Sequence, residues 1–230
     1  MPLFYQPEIS SGILAAEESR HAIKVLRLES GAAIELTDGK GNFYQARLTE
    51  PDPRQCAFQI TQTISVPKRN FSIQIAIAPT KNMDRMEWMV EKCVEIGVEQ
   101  ISFVLCKTSE RKTISLERLD KIIVSAIKQS RQAWLPVLSE MTPFGKFIEA
   151  CHVSQKFIAS VDENNPHHLA QIATPQKDYA VLIGPEGDFT KEEIRQAIAH
   201  GFTMTSLGPN RLRTETAGLT ACCILNLINA

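Results

Sequence analysis

Two stretches hold the residues of this sequence best suited to chemistry: Gly184-Pro185-Glu186-Gly187-Asp188, and Gly208-Pro209-Asn210 running on through Arg211-Leu212-Arg213-Thr214-Glu215-Thr216-Ala217. The glycines lack side chains, so backbone N–H groups there can approach a ligand closely. The second stretch crowds two arginines, a carboxylate and two hydroxyls just ahead of an apolar run. A threonine in that place is an ordinary helix cap. The arginines are not ordinary, because the macrodipole disfavours cations at a helix N-terminus. Something anionic or electron-rich should compensate them.

The elements that must position these residues follow from pattern. Tyr179 to Ile183 is an apolar run of strand length. Thr190 and Glu193 have the spacing of a capping box. Ile194, Ala197 and Ile198 give the helix that follows one apolar face, and Gly201 ends it. Thr203 to Leu207 reads as a second strand. Both glycine turns then lie at the carboxyl ends of strands, where open α/β sheets bind ligands. Two plain βα turns would show the same glycines, and it is the arginines that favour a site.

IGPEGDF followed by SLGPNRLRTETA resembles the bacterial 16S ribosomal RNA uridine N3-methyltransferase family, of the SPOUT class of S-adenosylmethionine enzymes. That family usually reads IGPEGGF and LRTETA, so Asp188 stands where a second glycine is usual. Glu91 to Val98, Ser109-Glu110-Arg111 and His21 to Arg27 match in place as well, and the resemblance covers essentially the whole chain. It implies an α/β fold: a SPOUT-type, trefoil-knotted parallel-sheet methyltransferase domain over 69–230, preceded by a small PUA-like β-barrel over 1–68 that helps hold RNA. It implies S-adenosyl-L-methionine bound by Leu182, Ile183, Gly184, Pro185, Gly187, Leu207, Gly208, Leu212, Thr216 and Ala217. It further implies 16S ribosomal RNA or the small ribosomal subunit as partner, and a homodimer. Arg111 becomes an RNA or active-site contact. Methylating uridine N3 requires loss of its proton, and a cation near the uracil oxygens would stabilise the anion; Arg213 is the candidate. Glu186 and Glu215 are each candidates for a base or for orienting Arg213. The family often reads EQSGR where this chain has Gln129-Ser130-Arg131-Gln132, and the role of Arg131 stays open.

The first part of the chain reads as β-rich. Glu17 to Leu26 is a predicted helix, and Ala33 to Thr37, Phe43 to Thr49 and Ala57 to Val66 are predicted strands, with Asp38 to Asn42 as a hairpin loop. His21, Lys24 and Arg27 lie three apart and would share a helix face, either as a solvated stripe or as a phosphate-contacting patch. Pro67 to Asn70 is the domain boundary. Phe71 to Ala78 and Ile101 to Cys106 are strands; Asp84 to Ile96, Leu116 to Gln132 and Ala217 to Ile228 are helices; Phe157 to Val161 is a further strand. The last helix is apolar nearly all round and needs burial on several sides.

Composition sets bounds. The 230 residues are 43% hydrophobic, enough for a full core, with a formal net charge of −1. There are 8 basic and 8 acidic residues up to position 70, and 17 and 18 after it. An RNA-binding face must therefore be a local patch. The 6 cysteines form no C-x-x-C pair, and no metal site is expected. No signal peptide or membrane-length run occurs, so the expectation is a cytoplasmic protein with no membrane partner. The P-loop, the G-x-G-x-x-G fingerprint and the G-x-S-x-G elbow are all absent. A catalytically silent RNA-binding module would not need the intact LRTETA tail.

Overall fold

A computed structural model describes residues 1–160 and 167–230. The chain forms two compact units, Met1–Lys68 with Val124–Leu135, and Arg69–Ile123 with Pro136–Ala230. The segment 124–135, placed by sequence in the second domain, clusters with the first unit.

In the first unit, strands β1 (Leu3–Tyr5), β2 (Ala33–Thr37), β3 (Asn42–Glu50) and β4 (Ala57–Ser65) form one sheet in that order. β1 pairs parallel to β2, and the other pairs are antiparallel. Phe4, Leu14, Ile34, Leu36, Leu48 and Phe58 fill the core behind it. Helix α1 (Ala16–Arg20) runs into a π-helical turn over His21–Val25.

The second unit is built on a six-stranded sheet. Its strands are β5 (Ser72–Ile77), β6 (Gln100–Leu105), β7 (Val137–Pro143), β8 (Gln155–Ala159), β9 (Asp178–Ile183) and β10 (Thr203–Thr205), in the order β10-β8-β9-β5-β6-β7. Every pairing is parallel. Parallel sheets carry helices on their faces, so their strands read as apolar runs; β9 is buried from Tyr179 to Ile183. The helices are α2 (Met83–Ile96), α3 (Leu116–Ser130), α4 (Phe144–Ala150), α5 (Leu169–Ile172), α6 (Lys191–Ala199) and α7 (Thr214–Leu227). From Val124 onward α3 belongs to the first unit. Of the strand expected over Phe157 to Val161, β8 ends at Ala159, and Val161 lies outside the described residues. No helix among the described residues is long and apolar enough to cross a membrane.

Two helix starts matter for the site. Asn82 caps α2, its side chain accepting from the Asp84 N–H. α7 begins at Thr214, three residues ahead of the expected start, so Thr214 to Ala217 of the LRTETA stretch form its first turn and Arg213 stands at the cap. Its buried side, Gly218, Ala221, Cys222 and Leu225, packs inward. A Cβ on Gly218 would lie 3.0 Å from Ile77 Cδ1, so the glycine lets α7 close on β5.

Candidate active site

The turn after β9 is made by its own residues. The Asp188 N–H donates to the Pro185 carbonyl at 2.9 Å, and Asp188 takes a left-handed backbone, φ 60°. Its carboxylate accepts from the Phe189 N–H at 2.7 Å and from the Ser160 hydroxyl at 3.4 Å. Thr190 and Glu193 form the expected capping box at the start of α6. Glu193 also accepts the Lys107 N–H at 2.8 Å, which ties the loop after β6 to the same helix. In that loop the Cys106 thiol is pushed up to about 12, by burial first and then by the Glu193 charge. It is therefore a protonated, inert thiol at neutral pH.

The two chemical stretches meet. The Thr214 hydroxyl donates to the Gly184 carbonyl at 3.0 Å, so the first turn of α7 is fastened to the turn after β9. Around that seam lies a cavity of about 450 Å³. It is lined by Ile183 to Glu186 and Asp188 from one side, Arg211 to Glu215 and Ala217 from the other, with Arg85 and Ala159 between. Three guanidinium groups and three carboxylates thus share one small space. Glu215 is buried and its Oε1 lies 3.8 Å from Arg85 Nε. Arg213 is exposed, caps α7 with extended backbone, and its side chain makes no capping bond.

Comparison with known proteins decides the family. The family model described as an RNA methyltransferase domain matches residues 67–226, and the model for an RNA methyltransferase PUA domain matches residues 14–61. The ribosomal RNA small subunit methyltransferase E of Synechocystis sp. is 30% identical, over 94% of this chain and 72% of that protein. The chain belongs to this methyltransferase E family. A probable rRNA-methyltransferase from Porphyromonas gingivalis shares 41% identity and a TM-score of 0.91, over 100% of this chain and 98% of that one. The family member from Neisseria gonorrhoeae, solved bound to S-adenosyl methionine, has 28% identity and a TM-score of 0.87, with the same coverage.

Several of the residues expected to act in this methyltransferase E chain come together, and others stand elsewhere. Ile183, Gly184, Pro185, Glu186, Leu212, Arg213, Glu215 and Ala217 line the cavity; Leu182, Gly187, Leu207, Gly208 and Thr216 do not. Gly208 has φ 137°, and a Cβ there would meet nothing within 4 Å. A larger residue at Gly208 would thus strain the backbone, and the space it would enter is free of other protein atoms. Its turn is held by Ser206, whose hydroxyl contacts both the N–H and the carbonyl of Gly208. Neither candidate carboxylate pairs with Arg213. Glu186 accepts the Lys81 N–H at 3.1 Å, and Glu215 faces Arg85.

The expected cationic residues are also placed differently. Arg111 donates to the Thr80 and Lys81 carbonyls, the first at 3.0 Å, so it braces the loop between β5 and α2. His21, Lys24 and Arg27 do not share an α-helical stripe. The Leu26 N–H reaches the His21 carbonyl and the Leu28 N–H the Ala22 carbonyl, which widens the turn, and Arg27 leaves the helix with φ 52°. Lys24 and Arg27 are exposed, while the His21 ring packs edge-on against Phe4. Arg131, at φ 56°, ends α3 in the left-handed position glycine usually fills, and its guanidinium pairs with Glu35.

Arg85 is the charged cavity residue that the sequence did not single out. The signal was available: it is a cation in the first turn of α2, against the helix dipole, as Arg213 is at α7. On the same helix Met86, Met89, Val90 and Cys93 form the buried side.

Proposed function

We propose that this chain transfers a methyl group from S-adenosylmethionine to N3 of a uridine in the 16S ribosomal RNA of the small subunit. The observation that carries the proposal is the cavity at the Thr214–Gly184 seam, where a glycine turn and three arginines line one space. Its volume suits a small-molecule ligand. A Cβ on Gly184 would come within 3.1 Å of the Phe189 ring and 3.2 Å of the Asp188 carboxylate, so a side chain there would have to displace one of them. Ile183, Gly184, Pro185, Leu212 and Ala217 are the residues that would hold the cofactor. When bound, it supplies an activated methyl group and departs as a neutral thioether.

The protein's own task is to place the base and to favour its anion. Arg213 has no hydrogen bond or ion pair to its guanidinium among the described residues, which leaves its donors available to a uracil oxygen as the N3 proton departs. On the first unit, exposed Lys24 and Arg27 would serve as phosphate contacts. Trp88, Ile96 and Leu227 are exposed apolar side chains on α2 and α7, and we read them as the face of a homodimer. The trefoil knot and a cytoplasmic location belong to the same reading.

Calorimetric titration with S-adenosylmethionine, followed by mass mapping of ribosomal RNA from cells lacking the protein, tests the proposal. A missing methyl group at one uridine of 16S RNA is expected. Arg213→Ala should fold and bind cofactor, but transfer methyl about 10²–10³ more slowly. A variant with the full single-turnover rate would remove Arg213 from the chemistry.

A further inference from the structure

Uracil N3 lies between two carbonyl oxygens, so the anion formed on losing the N3 proton spreads its charge over both. One cation can serve only one of them. We propose that Arg85, oriented by Glu215, is the second cation, facing the uracil oxygen that Arg213 does not. This rests on the functional reading above and extends it to a residue on a different helix.

Three observations carry it. Arg85 lines the same cavity as Arg213, although the two are far apart in sequence. Its side chain is 44% exposed, whereas that of Glu215, its ion-pair partner, is only 8% exposed. Among the described residues Glu215 pairs with Arg85 alone, and it sits in the first turn of α7, where the dipole favours a carboxylate. A buried carboxylate behind a half-open arginine is a way to aim the cation. Arg213 has no such support. The bookkeeping of the step is simple. The N3–H bond breaks with its electron pair left in the ring and the proton passes to solvent water; that pair forms the new N3–methyl bond as the donor's sulfur–methyl bond breaks, its electrons staying on sulfur in the departing thioether. Arg85 takes no part in the proton transfer; it acts only as a cation facing the base.

The test uses full-length protein, S-adenosylmethionine and small ribosomal subunits from cells lacking the protein. Arg85→Ala should leave cofactor affinity within about twofold while single-turnover methylation falls about 10²-fold; it also strands the buried Glu215 carboxylate, so the melting temperature should fall and should recover in the double variant with Glu215→Gln, whereas the rate should not. Its rate should go on rising with pH beyond the point where the wild type levels off, because the base has lost a group that eases its ionisation. Arg85→Lys should recover part of the rate. Glu215→Gln should slow the reaction too, and the double variant should be no slower than Arg85→Ala alone, as expected of residues acting as a unit. An Arg85→Ala variant with wild-type rate and pH profile would overturn the assignment. So would a loss confined to cofactor affinity, or full additivity with Glu215→Gln. A wild-type protein that transfers no methyl group would overturn the functional reading itself.

Discussion

Each unit contains a turn rich in glycine and acid, Asp38-Gly39-Lys40-Gly41-Asn42 in the first and Gly184-Pro185-Glu186-Gly187-Asp188 in the second. Their compositions are close, and their fates are opposite. Asp38 accepts from the Lys40 and Asn42 N–H groups, the Asn42 amide and the Tyr44 hydroxyl, at 2.7 to 3.1 Å. The Trp134 indole then fills the space over Gly41, where a Cβ would lie 2.3 Å from the ring. Around the second turn the nearby aromatic ring, Phe189, is buried and packs on Phe144 at 5.8 Å, which leaves the cavity open on the other side. A structural turn is filled by the protein's own side chains. A binding turn is one from which they are withheld.

The largest effect should come from closing the filled turn further. Gly41 has φ 101°, and any side chain there meets the indole as well as an unfavourable backbone region. Gly41→Ala should destabilise the first unit by about 3 kcal/mol, the overpacking and backbone costs together. Urea unfolding with tryptophan fluorescence would measure it. A loss below about 1 kcal/mol would mean that the indole moves aside easily, and the two turns would then differ less than their geometry says.

Only part of this contrast could be read in the sequence. The strand–turn–helix order from Tyr179 onward, the Thr190–Glu193 capping box and the helix stop at Gly201 all rest on local spacing, and local spacing is what a sequence displays. The filling of a turn is not local: Trp134 reaches Gly41 across most of the first unit's chain, and its Nε1 donates to the Val66 carbonyl at 3.0 Å. The same holds for Arg85 and Glu215, which come from separate helices. β1 is three residues long and β7 ends in Pro143 among polar residues, so neither shows a strand period. The π-helical turn after Arg20 leaves no mark on residue type at all.

A middle-sized effect separates the two turns by pH. Burial alone would raise the Asp38 pKa. The Asn42 side chain, the Lys40 and Asn42 N–H groups and the Tyr44 hydroxyl together outweigh burial and hold it below the ordinary carboxylate value. A carboxyl depressed in the folded state contributes stability above its unfolded pKa, about 4, and that contribution is lost as pH falls through the lower folded value. Asp38→Asn should therefore cost about 2 kcal/mol at pH 7, the value of bonds to a charged group. The gap between variant and wild type should shrink as the solution is acidified below about pH 4. A gap that stays constant to pH 2 would show that shape and not charge holds the turn.

The smallest effect on stability, and the one most specific to the open turn, should come at Gly184. The contacts a Cβ would make there, at 3.1 and 3.2 Å, are tight but yield to a shift of a few tenths of an ångström. Gly184→Ala should cost about 1 kcal/mol of folding stability. That shift moves the Phe189 ring or the Asp188 carboxylate, and Asp188 lines the cavity, so cofactor affinity should fall about tenfold, matching a similar free energy. Gly187 is the control within the same turn. It lies outside the cavity lining, and its Cβ would meet Thr108 at an ordinary 3.5 Å. Gly187→Ala should leave affinity where it was. If calorimetry found both variants equally weakened, the turn would be responding to stiffening along its whole length. If only Gly184→Ala lost affinity, the positions of the Phe189 ring and the Asp188 carboxylate would be what the ligand depends on, and the bare backbone at Gly184 would be what lets them sit there.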